Sequence, residues 1–283
     1  MAGSLDKRIG GNAPLYGDGA IARRMDAAGR IDVVREGRVA VVTIDRTPVN
    51  ALSVAMIVRL GEALRGLAGE DEIRAIILTG AGDRAFCAGG DIEEFASMDN
   101  AALLDAIRTG QRLVWDLEHL EKPTIAAVNG ACLGAGNGIA MACDLRIAGE
   151  TAVFGHPEVS LGLNLAFAGS VRLARLAGLA KAKELILTAR KVTAGEALAI
   201  GLVNEVVPPP AVRERALAVA KAIASQSPVA VRAAKKALTE GLEKHYPNSV
   251  VAETRYLAQV LEAGELREGL RAYLEKRPPK WRS

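Results

Sequence analysis

The sequence predicts an α/β fold in which parallel strands are joined by helical crossovers, and three observations carry that reading. The segments 74–79 and 124–129 are short apolar runs with β-branched residues, bounded by polar residues, proline or glycine. Each is preceded by a longer stretch, 53–67 and 101–120, whose apolar residues recur at helical spacing. A strand, helix, strand order closes into a parallel sheet through crossover connections. The third observation is a pair of small-residue turns, 85–91 and 130–136, each following a strand. Sheets of this kind bind ligands beyond the carboxyl ends of their strands.

In chain order, the first 30 residues are polar and glycine-rich and read as a flexible extension. Arg23, Arg24 and Arg30 suggest a transit peptide, but Asp6, Asp18 and Asp26 argue against one. Residues 31–36 and 38–45 form two strands about the Gly37 turn, with Val39, Val41 and Thr43 on one face. The helix over 53–67 has Ser53 as N-cap and buries Met56, Ile57, Leu60, Ala63, Leu64 and Leu67. Beyond the strand at 124–129, residues 138–143 have helical character, and 145–148 and 152–154 are short strands. From residue 168 onward the chain is mostly helical: 171–176, 180–188, 194–200, 210–225, 228–242, 249–262 and 265–276. Only 202–207 has strand character there.

Composition limits the function classes. Half of the 283 residues are hydrophobic and 24% are charged, as in a soluble globular protein with a sizeable core. A net charge of +3 with 4% aromatic residues argues against nucleic-acid binding. No uncharged apolar run reaches the roughly 20 residues that a membrane span needs. The 3 cysteines, Cys87, Cys132 and Cys143, follow no metal or disulfide spacing, which points to a reducing compartment and a cytoplasmic location.

The glycine turns carry the chemistry. Backbone N–H groups at a helix start lack partners, and residues without bulk let a ligand approach them. Such a junction suits an oxygen that holds or develops negative charge. Two turns ending at one sheet edge would offer two donors to one oxygen. Tight helix packing is the structural alternative. A dinucleotide-binding turn fits poorly, because the third glycine, Gly138, comes one residue early for G-x-G-x-x-G.

In their order along the chain, these residues resemble the enoyl-CoA hydratase/isomerase (crotonase) superfamily from residue 31 to the C-terminus. The matching pieces are Pro48-Val49-Asn50-Ala51-Leu52, Ile76-Ile77-Leu78-Thr79-Gly80, Ala85-Phe86-Cys87-Ala88-Gly89-Gly90-Asp91, residues 122–144, Phe154-Gly155-His156-Pro157-Glu158, Leu187-Thr188 with residues 197–207, and Glu275-Lys276-Arg277. The resemblance implies a crotonase (ClpP-like) spiral of ββα units, with an extension over 1–30, a core over 31–207 and a helical oligomerisation region over 208–283. It implies a homotrimer or a dimer of trimers, and an acyl-CoA substrate with no separate cofactor and no metal, since coenzyme A is part of the substrate. The N–H groups of Gly90 and Ala135 would hold the thioester oxygen. Ala88, Asp91, Ile92 and Gly134 would line the substrate, and Tyr273 and Lys276 would reach the CoA of a neighbouring subunit.

One departure is informative. Family hydratases typically carry two glutamates at the site; Glu158 matches one, and the other falls at Gly138. Adding water is usually served by two carboxylates, whereas shifting a double bond needs one base to take and return a proton. Glu158 as single proton shuttle, with isomerisation slightly favoured, is therefore the expectation. Asp91, Glu93 and Glu94 stand near enough in sequence to supply a replacement carboxylate. A hydratase, a thioester decarboxylase or hydrolase, and an idle acyl-CoA-binding homologue are the alternatives. His156 is expected to pack or hydrogen-bond rather than act as base, and Asp144 to be structural. Asn164, Leu165, Ala166 and Phe167 replace a proline-glycine-rich turn, so the acyl pocket is expected to be altered. Ala166 also stands where related dehalogenases carry a nucleophilic aspartate, which argues against that chemistry.

Overall fold

The computed structural model describes residues 29–167, 169–241, 268, 272, 275–277 and 279–281. The extension over 1–28, Tyr273 and nearly all of the helices expected over 249–262 and 265–276 lie outside the described residues.

Strands β1 (Arg30–Glu36) and β2 (Val39–Asp45) form the expected hairpin, and α1 (Val54–Ala68) follows. Ser53 caps α1 by accepting the Met56 N–H at 3.3 Å, and the predicted face of Met56, Ile57, Leu60, Leu64 and Leu67 is buried. Next come β3 (Ala75–Gly80), β4 (Ala85–Cys87), α2 (Ile92–Ala96) and α3 (Asn100–Glu118). The chain continues through β5 (Thr124–Val128), β6 (Ala131–Leu133), α4 (Ala135–Ala142), β7 (Leu145–Gly149) and β8 (Val153–Gly155). After a 3₁₀ turn at Glu158–Leu161 it forms α5 (Gly169–Ala177), α6 (Leu179–Leu187), β9 (Val192–Thr193), α7 (Ala194–Ala199), β10 (Glu205–Val207), α8 (Val212–Ala224) and α9 (Pro228–Gly241).

Two sheets result. The larger has the order β1-β2-β3-β5-β7-β10 and is parallel except for the β1–β2 hairpin. The smaller has the order β4-β6-β8-β9, with β4, β6 and β8 parallel. Strand pairs β3/β4, β5/β6 and β7/β8 each give their first member to the large sheet and their second to the small one, and a helix follows each pair. This repeat is the ββα spiral.

Alternation along the large sheet separates two cores, because successive side chains of a strand point to opposite faces. Ala40, Val42, Ile44, Ile76, Leu78, Ala126 and Val128 pack toward α1, α3 and α4. Val39, Val41, Ala75, Ile77, Ile125 and Ala127 pack toward α8, which answers with Val212, Ala216, Ala220 and Ala224 one turn apart. Each fully buried Val, Ile or Leu stabilises the fold by about 1.5–3 kcal/mol, and the alanine stripe brings α8 close to the sheet.

Three sequence expectations are corrected. The small-residue segments 85–91 and 130–136 are not turns throughout: each begins with a three-residue strand, β4 and β6, too short to show a period. The helix expected over 138–143 starts earlier, at Ala135, so part of the second glycine turn is its first turn. Strand character over 202–207 survives only at β10.

Candidate active site

Because β4, β6 and β8 run parallel and side by side, the segments that leave their carboxyl ends emerge at one edge of the small sheet. Those segments are Ala88-Gly89-Gly90, Gly134-Ala135 and His156-Pro157-Glu158. They touch one another. A β-carbon on Gly89 would lie 3.8 Å from the Ala135 nitrogen, and one on Gly134 would lie 3.4 Å from Glu158 Oε1 and 3.8 Å from the Gly89 Cα. Gly89 (φ 117°) and Gly134 (φ 50°) turn the chain just before Gly90 and Ala135, in a region that side chains disfavour.

The amides of Gly90 and Ala135 are left over by this arrangement. The bridge to Leu52 uses the Gly89 carbonyl and the Asp91 N–H, at 2.8 Å each, and Ala135 is the first residue of α4. Neither N–H has an acceptor among the described residues. Arg146, itself buried, fixes the far end of α4 by donating to the carbonyls of Ala140 (3.3 Å) and Cys143 (2.6 Å), where a cation offsets the helix dipole.

Glu158 opens the 3₁₀ turn, and its side chain is only 13% exposed. Oε1 is 3.5 Å from His156 Nδ1, and Oε2 is buried without a hydrogen-bond partner among the described residues. This carboxylate is therefore not a solvated loop group. It lines a cavity of about 260 Å³ together with Ala88, Gly89, Gly90, Ile92, Gly134 and Ala135. Ile92 and Leu161 stand 44% and 60% exposed, which places apolar surface at the rim.

Phe167 fills the space beside Gly138. Its ring lies against α3 and its Cβ and backbone against α4: a β-carbon on Gly110 would fall 2.1 Å from Phe167 Cζ, and one on Gly138 would fall 2.9 Å from Phe167 Cβ. Arg172 holds this segment against α3 by donating to the carbonyls of Phe167 (3.4 Å) and Val114 (3.2 Å) and to Glu118 Oε2 (2.5 Å). Ala166 and Phe167 both line the cavity, the latter as an aromatic wall.

Ala88, Ile92 and Gly134 line the cavity, but Asp91 does not. Its carboxylate turns inward, 2.6 Å from Arg46 Nη2, and accepts the N–H groups of Glu93 (3.0 Å) and Glu94 (3.1 Å). Burial alone would raise the Asp91 carboxyl, but the Glu94 N–H, Arg46 and the Glu93 N–H outweigh it and leave it below the usual range. Glu94 is also spoken for, since its Oε2 accepts the Val54 N–H at 3.0 Å, and neither Glu93 nor Glu94 lines the cavity. Asp144 is structural: its Oδ2 accepts Thr124 N–H (2.7 Å), Thr124 Oγ1–H (3.0 Å) and Lys235 Nζ (2.7 Å). Lys276 is exposed and the cavity lining does not include it.

Sequence reasoning missed Phe95, Leu163 and Lys191 as cavity residues. They come from three separate elements, and no motif marks them. Among the described residues no group of three or more His, Cys, Asp or Glu side chains is placed to hold a metal ion, and no helix is long and apolar enough to cross a membrane.

A spiral of ββα units that ends three parallel strands at two unpartnered amides and one buried carboxylate defines a crotonase-fold protein. The comparisons agree. The family model described as Enoyl-CoA hydratase/isomerase matches residues 35–283, and the chain belongs to that family. It is 41% identical to the short-chain-enoyl-CoA hydratase of Clostridium acetobutylicum, over 86% of this chain and 94% of that protein. It is 39% identical to the 2,3-dehydroadipyl-CoA hydratase of Escherichia coli, over 87% and 96%. Among solved structures, an enoyl-CoA hydratase from Bacillus anthracis superposes with a TM-score of 0.86 at 37% identity, covering 90% of this chain and 98% of that one. DspI from Pseudomonas aeruginosa superposes at 0.87 with 34% identity, covering 95% and 100%.

Proposed function

We propose that this protein moves a double bond in an acyl-CoA thioester, with Glu158 as its single proton carrier. The thioester oxygen accepts hydrogen bonds from the Gly90 and Ala135 N–H groups. That polarises the carbonyl and acidifies C2. Glu158 takes a proton from C2 of a 3-enoyl thioester, the electron pair is held as an enolate by the two amides, and the proton is returned to C4 as the double bond settles between C2 and C3. Each amide contributes about 100-fold to 1,000-fold in rate, and the positioned carboxylate about 100-fold to 10,000-fold.

The observation that carries this reading is Phe167. It packs against Gly138, where the family resemblance places the second carboxylate of a water-adding enzyme, and among the described residues the cavity lining has one carboxylate, Glu158, beside an apolar wall. A second reading, hydration of a 2-enoyl thioester, is favoured by the names of the relatives. Trans-3-hexenoyl-CoA and trans-2-hexenoyl-CoA, incubated separately in deuterated water, separate the two. A double-bond shift with deuterium at C2 or C4 and no hydroxylated product supports isomerisation. Rapid 3-hydroxyhexanoyl-CoA formation from the 2-enoyl substrate, with no shift of the 3-enoyl substrate, overturns it.

A further inference from the structure

Behind Glu158 runs a line of buried polar side chains that the reaction above leaves unused. Cys132 Sγ lies 3.9 Å from Asn137 Oδ1, Asn137 Nδ2 lies 3.1 Å from His156 Nε2, and His156 Nδ1 lies 3.5 Å from Glu158 Oε1. Cys132, Asn137 and His156 are 0%, 1% and 2% exposed. Burial raises the Cys132 thiol well above its ordinary range, so it remains S–H and can only donate to an oxygen. The structure turns the Asn137 amide with Oδ1 toward the thiol and Nδ2–H toward the imidazole. A nitrogen that receives an N–H must offer a lone pair, so His156 accepts at Nε2 and carries its proton at Nδ1. The Nδ1–H then points toward Glu158 Oε1 and has no hydrogen-bond partner among the described residues. The first residue of α5, Gly169, closes on the ring edge, since a β-carbon there would fall 2.8 Å from His156 Cε1.

We propose that His156 is a positioning residue for Glu158: its Nδ1–H, 3.5 Å from Oε1 and without another partner among the described residues, closes on Oε1 and holds the carboxylate at the cavity. His156 orients Glu158 and is not itself the base. Asn137 fixes the tautomer, because an imidazolium would set two N–H donors against each other at Nε2. The inference rests on the reading of Glu158 as proton carrier.

Two measurements test it. Long-range proton–nitrogen spectra of the histidine-labelled chain at pH 7.5, with His156 assigned by its loss in His156→Asn, should show the proton on Nδ1 and a shift of that signal in Glu158→Gln. A proton on Nε2, or an Nδ1 signal indifferent to Glu158→Gln, overturns the proposal, and neither result needs turnover. With trans-3-hexenoyl-CoA, His156→Leu should lower kcat by about tenfold or more at unchanged KM, the size of one hydrogen bond to a charged group. His156→Asn places an amide N–H where Nδ1 stood and should recover most of that loss. Equal losses in the two variants, or a change confined to KM, overturn it. A wild-type chain inert toward 3-hexenoyl-CoA would instead sink the isomerase reading, and the spectra would still decide the tautomer and its contact with Glu158.

Discussion

Arg46 Nη2 lies 2.6 Å from Asp91 Oδ2, and the two side chains are 8% and 10% exposed. This buried pair sits one residue beyond the Gly90 amide and anchors it, because Asp91 also caps α2 through the Glu93 and Glu94 N–H groups. Breaking a buried pair from one side leaves an uncompensated charge and costs about 3–5 kcal/mol.

Asp91→Asn should therefore destabilise the protein by about 3 kcal/mol at pH 7, although the amide oxygen can still cap α2. The Asp91 carboxyl is held below its ordinary range, so its contribution is complete above an unfolded value near pH 4 and is lost as pH falls through the lower folded value. Denaturant unfolding of both proteins at several pH values should show the gap closing in acid. A gap that stays constant down to about pH 2.5 would contradict the linkage.

Ala135→Pro tests the second amide with little change elsewhere. Proline is tolerated at the first position of a helix, where its missing N–H would have had no partner within the helix. Ala135 is that first position in α4, preceded by Gly134. Turnover should fall about 100-fold to 1,000-fold while the melting temperature moves only a few degrees. Thermal scans beside kcat measurements check both halves.

Gly138→Glu should not by itself turn the protein into an efficient hydratase. The new side chain would meet Phe167 Cβ at 2.9 Å and Phe167 O at 3.2 Å from its own β-carbon, and overpacking costs about 1–3 kcal/mol. Phe167→Ala keeps both of those atoms, since Cβ and the carbonyl oxygen remain when the ring is removed. The double variant should therefore form 3-hydroxyacyl-CoA from a 2-enoyl thioester no faster than Gly138→Glu alone. A clearly faster double variant would show that the ring, and not the backbone of this segment, is the obstacle.

How far these features were legible depended on what kind of signal each left. Helix α1 was readable almost to its ends because Ser53 and five buried apolar residues all point to one helix. Strands β4 and β6 were not, since three residues have no period and their pairing is decided by neighbours distant in sequence. The two amides could be placed because small residues after a strand have a local cause. Asp91 was misread as facing the substrate because its partner, Arg46, lies 45 residues earlier and joins it only in the fold. Phe167 was visible as a departure, but its contact with Gly110 and Gly138 unites three elements that no spacing rule connects.

Glu158→Gln isolates proton transfer from every other role of the site. Glutamine keeps the shape and the partial polarity of the side chain but cannot accept a proton at the reacting carbon. The side chain is 13% exposed and its Oε2 is buried without a partner among the described residues, so an amide there should be accommodated with little loss of stability. Hexanoyl-CoA is the useful probe, since it has no double bond to shift or hydrate and can only exchange its C2 proton with solvent. Wild-type protein in deuterated water should label C2, and Glu158→Gln should slow that labelling about 100-fold to 10,000-fold while hexanoyl-CoA still binds. Labelling that continues at the wild-type rate would mean that some other group reaches C2. Because isomerisation begins with removal of that C2 proton, that outcome would remove Glu158 from the proposed reaction.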